Sequence, residues 1–275
     1  MIIAVDIGNS AVKAALVDGR TVVESGRLET STASGADLTD GLRVLADRAG
    51  WKADTTILAV SVVDRWTERL ERAVEELGGS LTVVAASHVP ISTALVRRDQ
   101  TGPDRLLAAW AAATLHGSPV IVVDLGTATT VDAVDADGFF LGGAILPGLA
   151  LAAEALAEGT SRLPRVELAL PDDAIGSDTT SALQSGIVIG HLGAVRELAT
   201  RMRARLAVTA ADHEPTRVVV TGGHAAASWA ARAWTTPAGP GLAAVADVLD
   251  PDLVLRGLGL LSEHMADRPG VRAST

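Results

Sequence analysis

Asp6-Ile7-Gly8-Asn9-Ser10 closes the apolar run Met1-Ile2-Ile3-Ala4-Val5, and 118 positions later (6 to 124) Asp124-Leu125-Gly126-Thr127-Ala128-Thr129 closes Val120-Ile121-Val122-Val123. Each apolar run reads as a short buried strand, and each Asp-x-Gly as a turn built from residues that tolerate tight backbone geometry. The flanks repeat as well. Ala11 to Val17 resumes an extended pattern, Asp18-Gly19 signals a two-residue hairpin and Thr21 to Leu28 supplies a third strand. Thr129 to Val134, Asp137-Gly138 and Phe139 to Leu146 follow the second turn in the same order. Duplication of a unit that opens on three antiparallel strands is the simplest explanation.

Residues 37–49 carry Leu38, Leu42, Leu45, Ala46 and Ala49 at helical spacing, and Thr55 to Val63 returns to a β-branched apolar run. Trp66, Leu70, Ala73, Val74 and Leu77 predict an amphipathic helix over 65–77, with a strand from Leu81 to Ala85. Asp104 to His116 is an alanine-rich helix that Gly117-Ser118-Pro119 breaks, which sets the expected domains at 1–116 and 117–275. Helices are expected near 148–158, 178–206 and 253–265, a strand at Arg217 to Thr221, and fraying over the last seven residues. The order is mixed α/β.

With 275 residues, 48% of them hydrophobic and 20% charged, the chain has the apolar content to fold throughout. A formal charge of −10 repels phosphate backbones, so nucleic acid is not an expected partner, and without an eighteen-residue apolar span neither is a membrane. Cysteine is absent, excluding disulfides, thiolate metal sites and thiol nucleophiles, and no eighteen-residue apolar span or basic leader occurs; the expected location is cytoplasmic. The six histidines show no sequence-local metal spacing.

Phosphoryl transfer needs donors around phosphates, a carboxylate for magnesium and a positioned acceptor hydroxyl. Gly8 lets backbone approach an anion, Asn9 and Ser10 add polar contacts, Lys13 adds a mobile positive charge, and Asp6 can hold magnesium directly or through water. A plain hairpin chosen for its turn residues explains the same stretch in isolation. The second copy again buries a carboxylate at a strand end, where an isolated charge would be costly, so the two suggest a shared cation site. Thr221-Gly222-Gly223 follows a strand and precedes an alanine-rich segment, a close-approach geometry for a flat ligand or phosphate, or simply a strand-to-helix turn. Asp104 begins a helix whose dipole favours an ionised carboxylate, and Arg105 can bind a carboxylate as a planar fork; both also suit an ordinary first turn.

The order of first phosphate motif, second phosphate motif and Gly-Gly adenosine motif resembles the acetate-kinase, sugar-kinase, Hsp70 and actin superfamily. That resemblance implies duplicated ribonuclease-H-like (actin-like ATPase) domains, with mixed five-stranded sheets and flanking helices. Further stretches narrow it. Gly102-Pro103-Asp104-Arg105, Asp124 to Asp132, Gly142-Gly143-Ala144-Ile145-Leu146-Pro147-Gly148, Thr160-Ser161-Arg162-Leu163-Pro164, Ile175 to Thr180 and Leu255-Arg256-Gly257-Leu258 are similar in sequence and order to type III pantothenate kinases.

The resemblance implies that Asp6, Ile7, Gly8, Asn9, Ser10, Ala11, Val12, Lys13, Thr127, Gly222 and Gly223 contact ATP, that Asp6 helps place Mg2+, and that Asp124 holds a monovalent cation, K+ or NH4+. It further implies that Leu95, Gly102, Pro103, Asp104, Arg105 and Thr179 face pantothenate, with Asp104 as general base, in a homodimer. Ser10 stands where the family usually has Thr, Leu95 where a tyrosine is common, and Asp64 where proline is more usual. Phosphorylation of pantothenate to 4'-phosphopantothenate, the first step of coenzyme A synthesis, is the leading expectation. A kinase of the same fold for another small alcohol and a non-catalytic accessory transcriptional regulator are the alternatives. The apolar stripe Leu183, Ile187, Leu192, Val195, Leu198 and Met202 suits either a subunit interface or packing within one chain.

Overall fold

The computed structural model describes residues 1–50, 55–93, 95, 97–208, 215–237 and 243–267; the frayed end expected at 269–275 lies outside them. Two compact units emerge. One comprises Met1–Ile91, Val96–Ala111 and Asp252–Thr275, the other Ser92–Leu95 and Ala112–Pro251.

In the first unit, β1 (Ile2–Ile7), β2 (Ala11–Asp18), β3 (Thr21–Glu29), β4 (Thr56–Ser61) and β5 (Ser80–Val83) form one sheet in the order β3-β2-β1-β4-β5. The β1–β2 and β2–β3 pairs are antiparallel, while β4 runs parallel to β1 and β5 to β4. Alternation along β1 sends Ile3, Val5 and Ile7 to one face, where they pack with α1 (Gly35–Ala49) and α2 (Asp64–Glu76) through Leu38, Leu42, Trp66 and Leu70. Each such side chain contributes about 1.5–3 kcal/mol by leaving water. Helix α1 starts at a capping box between Ser34 and Asp37 and stops at Gly50, whose φ of 62° suits a left-handed cap. The β2–β3 loop is Gly19-Arg20 rather than the expected Asp18-Gly19: Asp18 pairs with Thr21, and Gly19 takes the positive φ of 56°.

The second unit repeats this plan. Helix α3 (Pro103–His116) crosses from the first unit into the second between Ala111 and Ala112. β6 (Val120–Leu125), β7 (Ala128–Val134), β8 (Phe140–Pro147), β9 (Arg217–Thr221) and β10 (Val248–Leu249) give the order β10-β9-β6-β7-β8, with the same pattern of antiparallel and parallel pairs. β1 and β6 even share one burial profile, in which only the aspartate is half-exposed. The fold is therefore the duplicated ribonuclease-H-like, actin-like ATPase class.

α4 (Leu149–Gly159) follows β8. The helix expected over 178–206 is interrupted: α5 (Thr179–Gln184) gives way to a wider π turn at Ser185–Ile189 before α6 (Gly190–Ala207). Ser185, buried there, donates its hydroxyl to the Ala174 carbonyl at 2.6 Å. The stripe Leu183, Ile187, Leu192 and Val195 packs into the core of this unit, and Glu197 pairs with Arg201 at 2.7 Å. α7 (Ala230–Thr235) and the two-residue β10 carry too short a periodicity to be read from sequence. The last helix, α8 (Leu253–Ala266), packs on β1, β2, β3 and β4 of the first unit. Gly259 permits this, because a Cβ there would strike the Gly19 carbonyl and approach Val17 Cγ1 at 2.7 Å.

Candidate active site

At the end of β1, Asp6 sits opposite Lys13 on β2, and Lys13 sits opposite Arg27 on β3. Directly paired residues share a face, so acid, lysine and arginine form one row across three strands. Burial is the main force on Asp6 and raises its pKa to about 6; Lys13 pulls it down, the negative charge of Asp104 raises it, and Arg27 pulls it down again. Asp104 thus acts electrostatically on Asp6 within the first unit, bringing together two aspartates 98 positions apart (6 to 104). Arg27 escaped sequence reading, since it shows itself only through register.

The turn after β1 is braced rather than open. Gly8 N–H donates to the Ala11 carbonyl at 2.9 Å, so that donor is used inside the hairpin. Thr30, just past β3, holds the turn, donating its hydroxyl to the Asn9 carbonyl at 2.6 Å and its amide to the Ser10 carbonyl at 3.0 Å. The Asn9 and Ser10 side chains stay exposed, while Ile7 and Val12 are buried and Ala11 half-buried.

Asp104 lies in the first turn of α3, after Pro103 at its first position, where the missing N–H costs nothing. A Cβ on Gly102 would strike Asp104 Oδ1, so glycine gives the carboxylate room to fold over the helix start. Arg105 is half-buried beside it. Upstream, Arg98 spreads its guanidinium over the carbonyls of Ile91 (2.6 Å), Val89 (2.7 Å) and Ala86 (2.9 Å), fixing the loop that leads to this motif. Sequence reading passed over Arg98, because its partners are backbone atoms.

In the second unit, Asp124 occupies the position of Asp6, but its cross-strand neighbours are Thr130 on β7 and Thr221 on β9 rather than a lysine. Gly222 has φ 97° and ψ 177°, a region essentially reserved for glycine, and a Cβ there would strike Asp124 Oδ1 and crowd Leu125. Thr127 is half-buried, and its carbonyl accepts the Gly148 amide at 3.0 Å; a Cβ on Gly148 would hit the carbonyls of Gly126 and Thr127. Gly223 opens a short 3-10 turn. Two histidines to which the sequence reading gave no role meet the turn after β6: His191 Nε2 lies 3.0 Å from Thr129 Oγ1, and His224 Nδ1 lies 3.3 Å from the Leu125 carbonyl.

Leu95 belongs to this unit. Its amide donates to Thr93 Oγ1 at 3.0 Å, Thr93 bridges to Phe140, and a Cβ on Gly142 would stand 3.1 Å from Leu95 Cδ2. Thr179 is exposed at the start of α5, where Asp178 accepts the Ser181 amide at 3.0 Å.

A half-buried acid whose pKa is raised by lost hydration is suited to a cation that restores its charge. Among the described residues, no three His, Cys, Asp or Glu side chains gather around one point. The titration of Asp6 also sets a direction for stability. Its pKa lies above the unfolded value, so the contribution is favourable at low pH and is lost as pH rises to about 6. Asp6→Asn is expected to be more stable than the parent above pH 6, by at most about 3 kcal/mol, with the gap closing below pH 4. Chemical denaturation at pH 4 and pH 8 checks this; equal stability differences at both would refute it.

Among the described residues no helix is long and apolar enough to cross a membrane. In fold, the chain is similar to a conserved protein of Campylobacter jejuni assigned to the Baf family of transcriptional activators (TM-score 0.58, 20% identity, 98% of this chain and 100% of that one). It is also similar to MreB5 of Spiroplasma citri bound to ADP (TM-score 0.53, 11% identity, 98% of each chain). At the level of sequence, it is 35% identical over 266 residues to a type III pantothenate kinase of Dehalococcoides mccartyi, covering 94% of this chain and 96% of that protein. A type III pantothenate kinase of Streptomyces coelicolor is 34% identical over 278 residues, covering 98% and 100%. The model of the type III pantothenate kinase family matches residues 2–201, a stretch holding both Asp-x-Gly turns and the Gly-Pro-Asp-Arg helix start, and the chain belongs to that family.

Proposed function

We propose that the chain transfers the γ-phosphoryl group of ATP to pantothenate, giving 4'-phosphopantothenate in the first step of coenzyme A biosynthesis. One observation carries the reading: the charge of Asp104 is felt at Asp6, so a base for the acceptor and a carboxylate for magnesium occupy one electrostatic neighbourhood. Little covalent chemistry is asked of the protein in such a transfer, and positioned charge supplies most of the catalysis.

In this reading Asp104 takes the proton of the acceptor hydroxyl as the oxygen attacks phosphorus, and Arg105 binds the carboxylate of pantothenate as a fork. Lys13 and the turn Asp6 to Val12 face the phosphates, Thr127, Gly222 and Gly223 contact the nucleotide, and Asp124 holds the monovalent cation. Magnesium, when bound at Asp6, offsets charge on the phosphate oxygens. Leu95, Gly102, Pro103 and Thr179 shape the acceptor site, with Leu95 giving an apolar wall where a tyrosine hydroxyl is common. A cytoplasmic homodimer without nucleic-acid or membrane partners completes the proposal.

ADP release measured with pantothenate, Mg2+ and K+ is expected to show turnover. No release with pantothenate, together with release on another small hydroxylated amide, would transfer the assignment to that acceptor. No release with any alcohol would remove the kinase reading.

A further inference from the structure

The turn from Asp124 to Thr129 is gripped at both ends by imidazoles that come from distant parts of the second unit. At one end, His224, two residues past Gly222, reaches back to the Leu125 carbonyl at 3.3 Å. A carbonyl can only accept, so Nδ1 carries the proton and donates it. At the other end, His191, in the first turn of α6, meets the Thr129 hydroxyl at 3.0 Å.

Thr129 is fully buried, and the half-buried ring of His191 stands edge-on to buried Trp234, with centroids 6.5 Å apart and an interplanar angle of 86°. The ring is therefore held by packing as well as by the hydroxyl. Burial first, and the nearby His224 second, lower the pKa of His191, which keeps it neutral and able to share one hydrogen bond with a hydroxyl.

Side chains alternate along β7, and Thr130 is the residue paired with Asp124. Thr129 consequently lies on the face opposite the Asp124 carboxylate, with Val131 and the α6 core. His191 approaches the turn from behind, where it can set backbone position without touching a ligand.

We infer that His191 is a positioning residue for the nucleotide and monovalent-cation contacts of the second phosphate turn, acting through the Thr129 hydroxyl while His224 anchors the Leu125 end. This rests on the proposed roles of Asp124 and Thr127, and it adds a device that fixes where they stand. A turn released at one end loses geometry, and displacements near 1 Å already weaken polar sites severely.

The test uses the intact chain and five proteins: the parent, His191→Ala, His191→Gln, Thr129→Val and the double variant His191→Ala/Thr129→Val. The constants for ATP, K+ and pantothenate are measured for each. His191→Ala is expected to raise the KM for ATP and the K+ concentration for half-maximal rate about 10-fold, with the pantothenate KM changing less than about twofold. His191→Gln, whose amide can still meet the hydroxyl, should recover most of the loss. Thr129→Val should reproduce it, and the double variant His191→Ala/Thr129→Val should be no worse than either single one, as for residues acting as one unit.

Unchanged ATP and K+ constants in His191→Ala overturn the inference, as does a parallel rise in the pantothenate KM. If His191→Ala does not fold, Thr129→Val decides: parental constants there overturn the inference. A parent that turns over without any K+ dependence instead removes the cation role of Asp124, and the ATP constant alone then judges His191.

Discussion

Asp104→Asn is expected to lower kcat roughly 10²–10⁴-fold, the usual contribution of a positioned general base, while ATP affinity changes little. The substitution is close to isosteric and keeps the first turn of α3, with Gly102 still leaving space for the side chain. What it removes is the negative charge that takes up the acceptor proton. The same change withdraws one of the influences holding up the pKa of Asp6, so that pKa should fall while staying raised, since burial is its larger cause. Steady-state kinetics with titration calorimetry of ATP binding checks both halves. A kcat within threefold of the parent would take Asp104 out of the chemistry; an equal loss of ATP affinity would make it a nucleotide ligand instead.

Gly222→Ala is the second large effect. At φ 97° and ψ 177° a Cβ is strained before any neighbour is considered, at roughly 1–3 kcal/mol, and here it also runs into Asp124 Oδ1 and Leu125. Relief requires the strand-end carboxylate or the Gly-Gly backbone to move, and both belong to the proposed nucleotide and cation contacts. The expected result is a 10-fold or greater rise in the ATP and K+ constants, with a lower thermal midpoint. Parental constants and midpoint would mean that the second phosphate turn tolerates displacement, and would remove the nucleotide role from Gly222.

Much of this was legible because duplication makes a sequence confirm itself. Two Asp-x-Gly turns on matching strands announced two sheets, and the sheets share one strand order and one pattern of directions. Helix starts were legible where capping chemistry is local, as at Pro103-Asp104. Register was not. Arg27 joins Asp6 and Lys13 only through strand pairing, and His191 and His224 lie 33 positions apart (191 to 224) on elements that only the folded unit brings together. The partner of Gly8 was equally out of sight: the hairpin satisfies its own donors, and the Ala11 carbonyl takes the Gly8 N–H.

Matching backbones have diverged in charge. The Asp6 row continues into Lys13 and Arg27, and the Asp124 row into Thr130 and Ile145. One copy carries its own positive charge across the sheet, whereas the other places neutral side chains at the same register, which is how a repeated scaffold can give two aspartates two different duties.

Because α8 packs on β1 to β4, the unit bearing Asp6 is assembled from both ends of the chain. During synthesis its first three strands emerge before the second unit, and the helix that covers them emerges after it. The other unit is nearly continuous in sequence and can finish sooner. A nascent chain would thus carry an open apolar sheet face while the intervening unit is made, and exposed surface of that kind favours aggregation.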